Sequence, residues 1–176
     1  LYGRAVGEVS PQAWRASPIK TWQHRAACVA CSASNAGGVP DMRVISLNLN
    51  GLRSAARKGV FEWMAAQDAD AICLQETRIQ ADQRSAEGFA LPGYHLHYAD
   101  AQTRGYSGVA LYLRGRADAM QAGIGIADFD QEGRWLQADY GDLSIVSLYL
   151  PSGSSGEARQ AFKFQVLDWL AEKFAA

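Results

Sequence analysis

The sequence has no apolar run of the roughly 18 residues that a membrane-spanning helix needs. It also lacks a cationic segment followed by an apolar stretch, so we expect neither a membrane anchor nor a secretory signal. Cysteine is scarce: the three cysteines do not make a disulfide framework, and Cys73 lies inside an apolar run. Such usage is typical of a reducing compartment, and we expect the protein to be cytoplasmic.

An excess of charge of one sign is also absent. The 17 lysines and arginines against 18 acidic residues give a formal net charge of −1, so no global basic field indicates nucleic acid. A local basic strip on one face would still suffice to bind DNA, and composition leaves that possibility open. Apolar residues are plentiful: 48% of the chain is hydrophobic, enough to bury the core of one domain or part of one.

The character of the sequence changes near residue 41. Residues 1–41 are rich in Ala, Ser, Gly and Pro and have neither helical nor strand periodicity, so we expect a disordered or non-native leader. Met42 is then the expected natural start, and residues 42–176 are the regular part. Within the leader, "HRAACVAC" at 24–31 holds one histidine and two cysteines, but no second pair completes a tetrahedral zinc site.

From Met42 onward the apolar residues recur with the periods of strands and helices. The alternation in "RVISLNL" puts Ile45, Leu47 and Leu49 on one face of a strand. The patterns predict strands at 43–49, 71–75, 95–99, 108–114, 134–140 and 143–150, and helices at 52–66 and 157–174. The last helix is expected to have an apolar face made of Phe162, Val166, Leu170 and Phe174. Strands with interspersed helices favour a layered α/β sandwich.

Polar side chains follow three of the predicted strands. Asn48 and Asn50 come at the end of the first, Glu76 directly after the second, and Tyr149 near the end of the last. Ligand sites in α/β sheets gather beyond the carboxyl ends of strands, and one carboxylate with carbonyl-type oxygens suits Mg²⁺. Each residue also has a simpler interpretation: an Asn-Gly turn, a pair between Glu76 and Arg78, and a half-buried phenol. Those interpretations leave the shared position at strand ends unexplained.

The same segments resemble a known family. "SLNLNGLRSAARKGVFEWMAAQDADAICLQETR" is similar to the opening of the exodeoxyribonuclease III family of AP endonucleases, within the endonuclease/exonuclease/phosphatase superfamily. "GYSGVALYLR" (105–114), "DQEGRWLQAD" (130–139) and "SLYLPSGS" (147–154) follow in the order of that family. The resemblance covers residues 42–176 and implies the N-terminal portion of the family's four-layered α/β sandwich.

The resemblance implies roles for the residues at the strand ends. Glu76 matches the principal Mg²⁺ ligand of the family, with Mn²⁺ as a possible substitute. Asn48 matches the asparagine of the metal and phosphate network, and Asn50 the nearby group that supports it. Tyr149 matches the tyrosine beside the scissile phosphate.

The resemblance also implies a DNA partner. Lys58 and Tyr106 match positions that touch the DNA backbone and groove, and Arg53 belongs to the same basic helix start. The implied substrate is double-stranded DNA with abasic sites or 3′ ends, cut by a Mg²⁺-dependent repair nuclease that incises 5′ to abasic sites and trims 3′ ends. We expect the full-length protein to be a monomer that binds no membrane.

One departure from the family affects the expected activity. The family continues with an Asp-x-Asn strand, a further aspartate and an Asp-His pair, and the sequence ends at Ala176 before them. His24, His95 and His97 lack the context of the family's histidine. The chain is therefore expected to hold the first half of a nuclease site and to be inactive alone. Two alternatives stay open: a phosphoesterase for phospholipid or inositol phosphate, and a non-catalytic DNA-binding fragment.

Overall fold

The structure, a computed structural model, describes residues 42–153 and 156–175. The expected leader and its "HRAACVAC" motif lie outside the described residues. The strands are β1 (Val44–Asn48), β2 (Ala71–Gln75), β3 (His95–Ala99), β4 (Val109–Leu113), β5 (Ala119–Ala122), β6 (Trp135–Tyr140) and β7 (Leu143–Leu148). The helices are α1 (Leu52–Ala56), α2 (Val60–Ala66), α3 (Ala81–Glu87), α4 (Ala127–Gln131) and α5 (Glu157–Ala175).

The strands form two sheets. One has the order β1-β2-β4-β3, and the other has the order β5-β6-β7. β1 and β2 are parallel, and Asn48 pairs with Gln75, so the carboxyl ends of these two strands lie side by side. The Ser147 hydroxyl on β7 donates to the Leu74 carbonyl on β2 at 3.1 Å, which joins the two sheets near the same end. This arrangement brings the ends of β1, β2 and β7 together.

The central strands are unbroken apolar runs in the sequence because both of their faces are buried in the core. Ile72 and Leu74 of β2 pack in a cluster with α1 and α2, while Ala71 and Cys73 pack between the two sheets. A third cluster covers the other face of the second sheet with α4 and α5. The layers are therefore helix, sheet, sheet and helix, and the prediction of a four-layered α/β sandwich is confirmed.

Several predicted boundaries were wrong for identifiable reasons. The predicted single helix at 52–66 is two helices, because Gly59 has a φ of 82° and ends the first helical segment in a turn. The short elements α3, α4 and β5 were not predicted, since four to seven residues give little periodic signal. On α5, Val166 and Leu170 are buried as expected, but Phe174 is 71% exposed. Within the described ranges no helix is both long and apolar enough to cross a membrane.

The segment after β2 is held against the segment before β4 by a close backbone approach at Gly108. The Thr77 N–H donates to the Gly108 carbonyl at 3.1 Å, Gly108 has a φ of 83°, and a Cβ there would overlap the Thr77 hydroxyl. We predict that Gly108→Ala lowers the free energy of unfolding by about 2–4 kcal/mol, the sum of strain and overpacking.

Gly88→Ala is the matched control for this prediction. Gly88 also has a positive φ, of 60°, but nothing lies within 4 Å of a Cβ there. Denaturant unfolding of both variants is expected to show the larger loss for Gly108→Ala. Equal losses would mean that backbone strain alone, and not the contact with Thr77, sets the effect.

Candidate active site

Side chains from three of the predicted strand ends meet at one carboxylate. The Asn48 amide Nδ2 donates to Glu76 Oε1 at 2.7 Å. The Tyr149 phenol lies close to the same carboxylate and acts to lower its pKa. Strands that are distant in the sequence therefore supply an amide, a carboxylate and a phenol to a single cluster.

The backbone at Glu76 is in an uncommon conformation that its neighbours enforce. Glu76 has a φ of 52° and Arg78 a φ of 50°, in the left-handed region that costs non-glycine residues about 1–3 kcal/mol. The Gly51 N–H donates to the Glu76 carbonyl at 2.8 Å, and the Arg78 N–H donates to the Ser107 carbonyl at 2.9 Å. This segment is thus fixed on both sides, and the direction of the Glu76 side chain is set before any ligand binds.

Asn50 supports the cluster in a different way from the one its side chain suggested. Its backbone N–H, rather than its amide side chain, donates to Asn48 Oδ1 at 3.1 Å. Asn50 also has a φ of 50°, a conformation that asparagine tolerates better than most residues. The Asn48 amide is consequently held at both ends, by Asn50 and by Glu76.

The charges around the cluster fix its protonation state. Burial acts to raise the pKa of Glu76, but hydrogen bonds from Asn48, Tyr149 and Arg78, with the charge of Arg78, outweigh burial and hold it below the ordinary value. The pKa of Tyr149 is raised by burial and by its contact with the Glu76 carboxylate. Glu76 is therefore ionised and Tyr149 protonated at neutral pH, so the phenol donates and the carboxylate accepts.

The donors of the cluster fit a hard divalent cation held by few protein ligands. Among residues 42–153 and 156–175, no group of three or more His, Cys, Asp or Glu could hold a metal ion. Glu76 offers carboxylate oxygens, and Asn48 Oδ1 has a second lone pair beyond the one used by Asn50. Arg78 pairs with Glu76 Oε2 from the solvent side, where its side chain is 42% exposed. Such an oxygen set suits Mg²⁺, which keeps most of its waters.

The residues expected to contact DNA are all exposed. Tyr106 lies in the loop before β4, is 41% exposed, and accepts hydrogen bonds from Arg134 at 3.1 Å and from Arg159 at 3.4 Å. Arg53 is exposed on α1, shortly after the segment that contacts Glu76, and Lys58 is exposed in the turn between α1 and α2. Tyr106 is thus connected to the cluster through Arg134, while the two cations are exposed on α1 and in the turn that follows it.

Sequence reasoning missed the arginines that organise the site. Arg134 is buried behind Tyr149 and forms an ion pair with Glu132, which Arg159 also binds. Arg78, considered only as a possible partner of Glu76, does contact that carboxylate. A signal for Arg134 was present in the sequence: like Glu76, it directly adjoins an apolar strand, where a charge needs a partner.

His95 and His97 do not contribute to this cluster. Both lie on β3, which begins at the end of its sheet opposite to the carboxyl end of β2. They line a cleft there with Arg116 and Asp118. The expectation that they do not replace the family's histidine is consistent with this position.

The ion pairs of Glu132 predict a dependence of stability on pH. Burial acts to raise the pKa of Glu132, but hydrogen bonds from Arg159 and Arg134 and their charges hold it below the ordinary value. Because the pKa of Glu132 is lower in the folded state than in the unfolded state, the ionised carboxylate stabilises the fold at pH values above the ordinary carboxyl pKa. This stabilisation is lost as pH falls through the folded-state pKa. Because Arg134 is 2% exposed, Glu132→Gln is expected to lower the free energy of unfolding at neutral pH by about 3 kcal/mol.

Urea unfolding of wild type and Glu132→Gln over a series of acidic to neutral pH values tests this expectation. The difference in free energy is expected to be largest at neutral pH and to shrink in acid, where the wild-type carboxylate is protonated. Glu172→Gln, an exposed change on α5, is the control and should follow wild type throughout. A difference that persists unchanged in acid would contradict the assignment.

The chain is similar in sequence to known proteins. Residues 45–176 match the Endonuclease/Exonuclease/phosphatase family. An exodeoxyribonuclease of Bacillus subtilis is 35% identical over 125 residues, which are 70% of this chain and 48% of that protein. The DNA repair nuclease APEX1 of Danio rerio is 33% identical over 132 residues, 74% of this chain and 43% of that protein. The chain thus spans about half the length of the curated relatives it matches.

Solved structures share the fold. An AP endonuclease from Archaeoglobus fulgidus superposes with a TM-score of 0.62 at 23% identity, over 72% of this chain and 48% of that one. A 3′ phosphatase from Neisseria bound to a product DNA hairpin superposes with a TM-score of 0.64 at 22% identity, over 74% of this chain and 50% of that one. The resemblance seen in the sequence is confirmed, and the chain belongs to the Endonuclease/Exonuclease/phosphatase family.

Proposed function

We propose that the natural protein is a Mg²⁺-dependent DNA repair phosphodiesterase of the exodeoxyribonuclease III type, which incises 5′ to abasic sites and trims 3′ ends. The observation that carries this proposal is the Glu76 carboxylate, held jointly by Asn48 and Tyr149 at the meeting point of three strand ends. An ionised carboxylate beside a protonated phenol is suited to a phosphate ester, whose charge needs both a cation and hydrogen-bond donors.

In this proposal each residue of the cluster has a distinct task. Glu76 holds the metal, with Asn48 orienting the carboxylate and offering its own amide oxygen. The single phenol proton of Tyr149 is donated to Glu76 in the free protein; with substrate bound, the phenol would donate it to a phosphate oxygen instead, and a donor positioned in this way is worth about 10²–10³-fold in rate. When bound, Mg²⁺ supplies positive charge to the phosphate and to the leaving oxygen. Activation of the attacking water belongs to the half of the family's domain that this chain does not match.

The proposed substrate is duplex DNA. Arg53 on α1 and Lys58 in the turn after it are exposed cations, and Tyr106, which Arg134 connects to the cluster, presents an exposed aromatic ring. Contacts of this type with the backbone position a duplex without reading its sequence, as an enzyme directed to lesions requires. The relatives named above are DNA nucleases or repair proteins, which supports DNA over a lipid or inositol phosphate.

The test is cleavage by the full-length natural protein. A duplex with one abasic site, a duplex with a 3′-phosphate, an inositol polyphosphate and phospholipid vesicles are offered separately, with Mg²⁺, with Mn²⁺ and with EDTA. We expect incision 5′ to the abasic site and release of the 3′-phosphate, both abolished by EDTA. Hydrolysis of the lipid or the inositol phosphate without DNA incision would replace this proposal with the second phosphoesterase class. Duplex binding without any hydrolysis would favour a non-catalytic DNA-binding protein.

A further inference from the structure

Arg134 is a buried cation at the start of β6. Its side chain is 2% exposed, although an unpaired buried charge is strongly unfavourable. The charge and the N–H donors of the guanidinium therefore need partners among the groups around it. Those partners are the groups that Arg134 can hold in place. They lie in two directions, toward Tyr149 and toward the surface.

On one side Arg134 fixes Tyr149 through three contacts. Its Nη1 donates to the Tyr149 carbonyl at 3.0 Å, and the Tyr149 N–H donates to the Arg134 carbonyl at 2.9 Å. The guanidinium carbon also lies 4.6 Å from the centroid of the Tyr149 ring, a cation–π distance. Both the backbone and the ring that carries the phenol are thus attached to one side chain.

On the other side the same guanidinium reaches the surface. Its Nη2 donates to the Tyr106 phenol at 3.1 Å, and its Nε pairs with the Glu132 carboxylate. Arg159 binds that carboxylate through two hydrogen bonds of 2.9 and 3.1 Å, so Glu132 is itself fixed. The three nitrogens of Arg134 therefore hold three different partners.

We propose that Arg134 is a positioning residue that holds the Tyr149 phenol on Glu76 and, with the same guanidinium, holds Tyr106 at the DNA-facing surface. This rests on the proposed function, because Tyr149 is the group that would touch the phosphate. Arg134 itself contacts neither the phosphate nor the metal in this scheme. Its effect on the reaction passes through the position of Tyr149, and its effect on substrate binding passes through Tyr106.

The chemistry of the site requires arginine in particular. The planar guanidinium presents donors in fixed directions and stacks on an aromatic ring. A lysine in its place would keep the charge but would bind one partner at a time and could not stack in the same way. Arg134→Lys and Arg134→Met are therefore expected to share the same defect in positioning, while only Arg134→Met also removes one of the two cations that pair with Glu132.

The experiment is a double-mutant cycle in the full-length protein, with kcat and KM measured on an abasic duplex. Arg134→Met and Arg134→Lys are each expected to lower kcat by about 10²-fold, the cost of misplacing a reacting group by about 1 Å, with a smaller rise in KM. In a Tyr149→Phe background, which lacks the phenol, the same changes should lower kcat only slightly below that of Tyr149→Phe alone. Arg116→Met, at the opposite end of the fold, removes an exposed arginine and should match wild type.

Several outcomes would overturn the proposal. Additive losses in the cycle would mean that Arg134 does not act through the Tyr149 phenol, and wild-type kcat in Arg134→Lys would mean that charge alone suffices. If Arg134→Met fails to fold, Arg134→Lys carries the cycle by itself.

A readout independent of activity separates this proposal from the proposed function. 3-Fluorotyrosine placed at position 149 should give a ¹⁹F resonance that moves by more than one linewidth and broadens in Arg134→Lys. An unchanged resonance would contradict the positioning role, whether or not the protein cleaves DNA. If the wild-type protein is inactive but the ¹⁹F resonance changes in Arg134→Lys as expected, the proposed reaction is overturned and the positioning of Tyr149 by Arg134 is still supported.

Discussion

Replacing Glu76 with glutamine in the full-length protein is expected to lower Mg²⁺-dependent cleavage of an abasic duplex by at least about 10³-fold. The change keeps the size of the side chain and removes its charge. Within the described part of the chain, Glu76 is the carboxylate to which Asn48 and Tyr149 both bind, so its loss removes the proposed anchor of a metal with few protein ligands. Glu76→Ala should be at least as severe.

The measurement is the cleavage rate as a function of Mg²⁺ concentration. Glu76→Gln should need far more Mg²⁺ for half-maximal rate, because the metal loses a charged ligand. Glu62→Gln on α2, an exposed glutamate outside the cluster, is the matched control and should follow wild type. Equal rates for Glu76→Gln and wild type at limiting Mg²⁺ would show that Glu76 does not hold the metal.

Residues 42–176 produced alone are expected to be poorly soluble and to bind a hydrophobic dye. The reason lies at one margin of the sandwich, where β1 is the edge of the first sheet and β7 the edge of the second. A cleft of mostly apolar residues runs between them, lined by Met42, Val44, Ser46, Cys73, Gln75, Leu143, Ser144, Ile145, Val146 and Leu148. Open strand edges beside apolar surface are a recognised aggregation hazard.

The opposite margin has a different character, which supports this expectation. Between β3 and β5 half of the residues that line the cleft are polar or charged and the other half are Leu96, Ala117, Ala119 and Met120, so this margin is more polar than the one at β1 and β7. The family relatives are about twice as long as the matched region, so their remaining half is available to cover one margin. The apolar margin at β1 and β7 is the one that needs cover.

Sedimentation, dye fluorescence and an abasic-site assay on this peptide check the prediction. We expect association, strong dye binding and no incision. Leu143→Lys, which puts a charge on a residue that is already 37% exposed, should reduce both dye binding and association. A soluble monomer that incised the duplex in Mg²⁺ would contradict the prediction, and would also place water activation within these residues.

The sequence by itself determined the elements whose signal is local. Alternating or unbroken apolar residues gave the strands from β1 to β7, except the short β5, and placed Ile45 and Leu47 in the core. The charge directly after β2 indicated a site at Glu76, because a buried strand leading into a carboxylate requires a partner for it. The family could also be recognised from the sequence, since its motifs are continuous segments of the chain.

The tertiary structure decided which groups meet. The pairing of Asn48 with Glu76 depends on the register of β1 and β2, and the support from Asn50 comes from its backbone, which side-chain identity does not reveal. Tyr149 reaches the same carboxylate because β7 packs over β2, and Arg134 acquires its partners from segments up to 28 residues away. Periodicity reports which face of an element is apolar, whereas the neighbour of a polar atom is fixed by strand order, register and the packing of layers. For that reason the strand-end residues were predictable, and the contacts of Arg134 with two tyrosines were not.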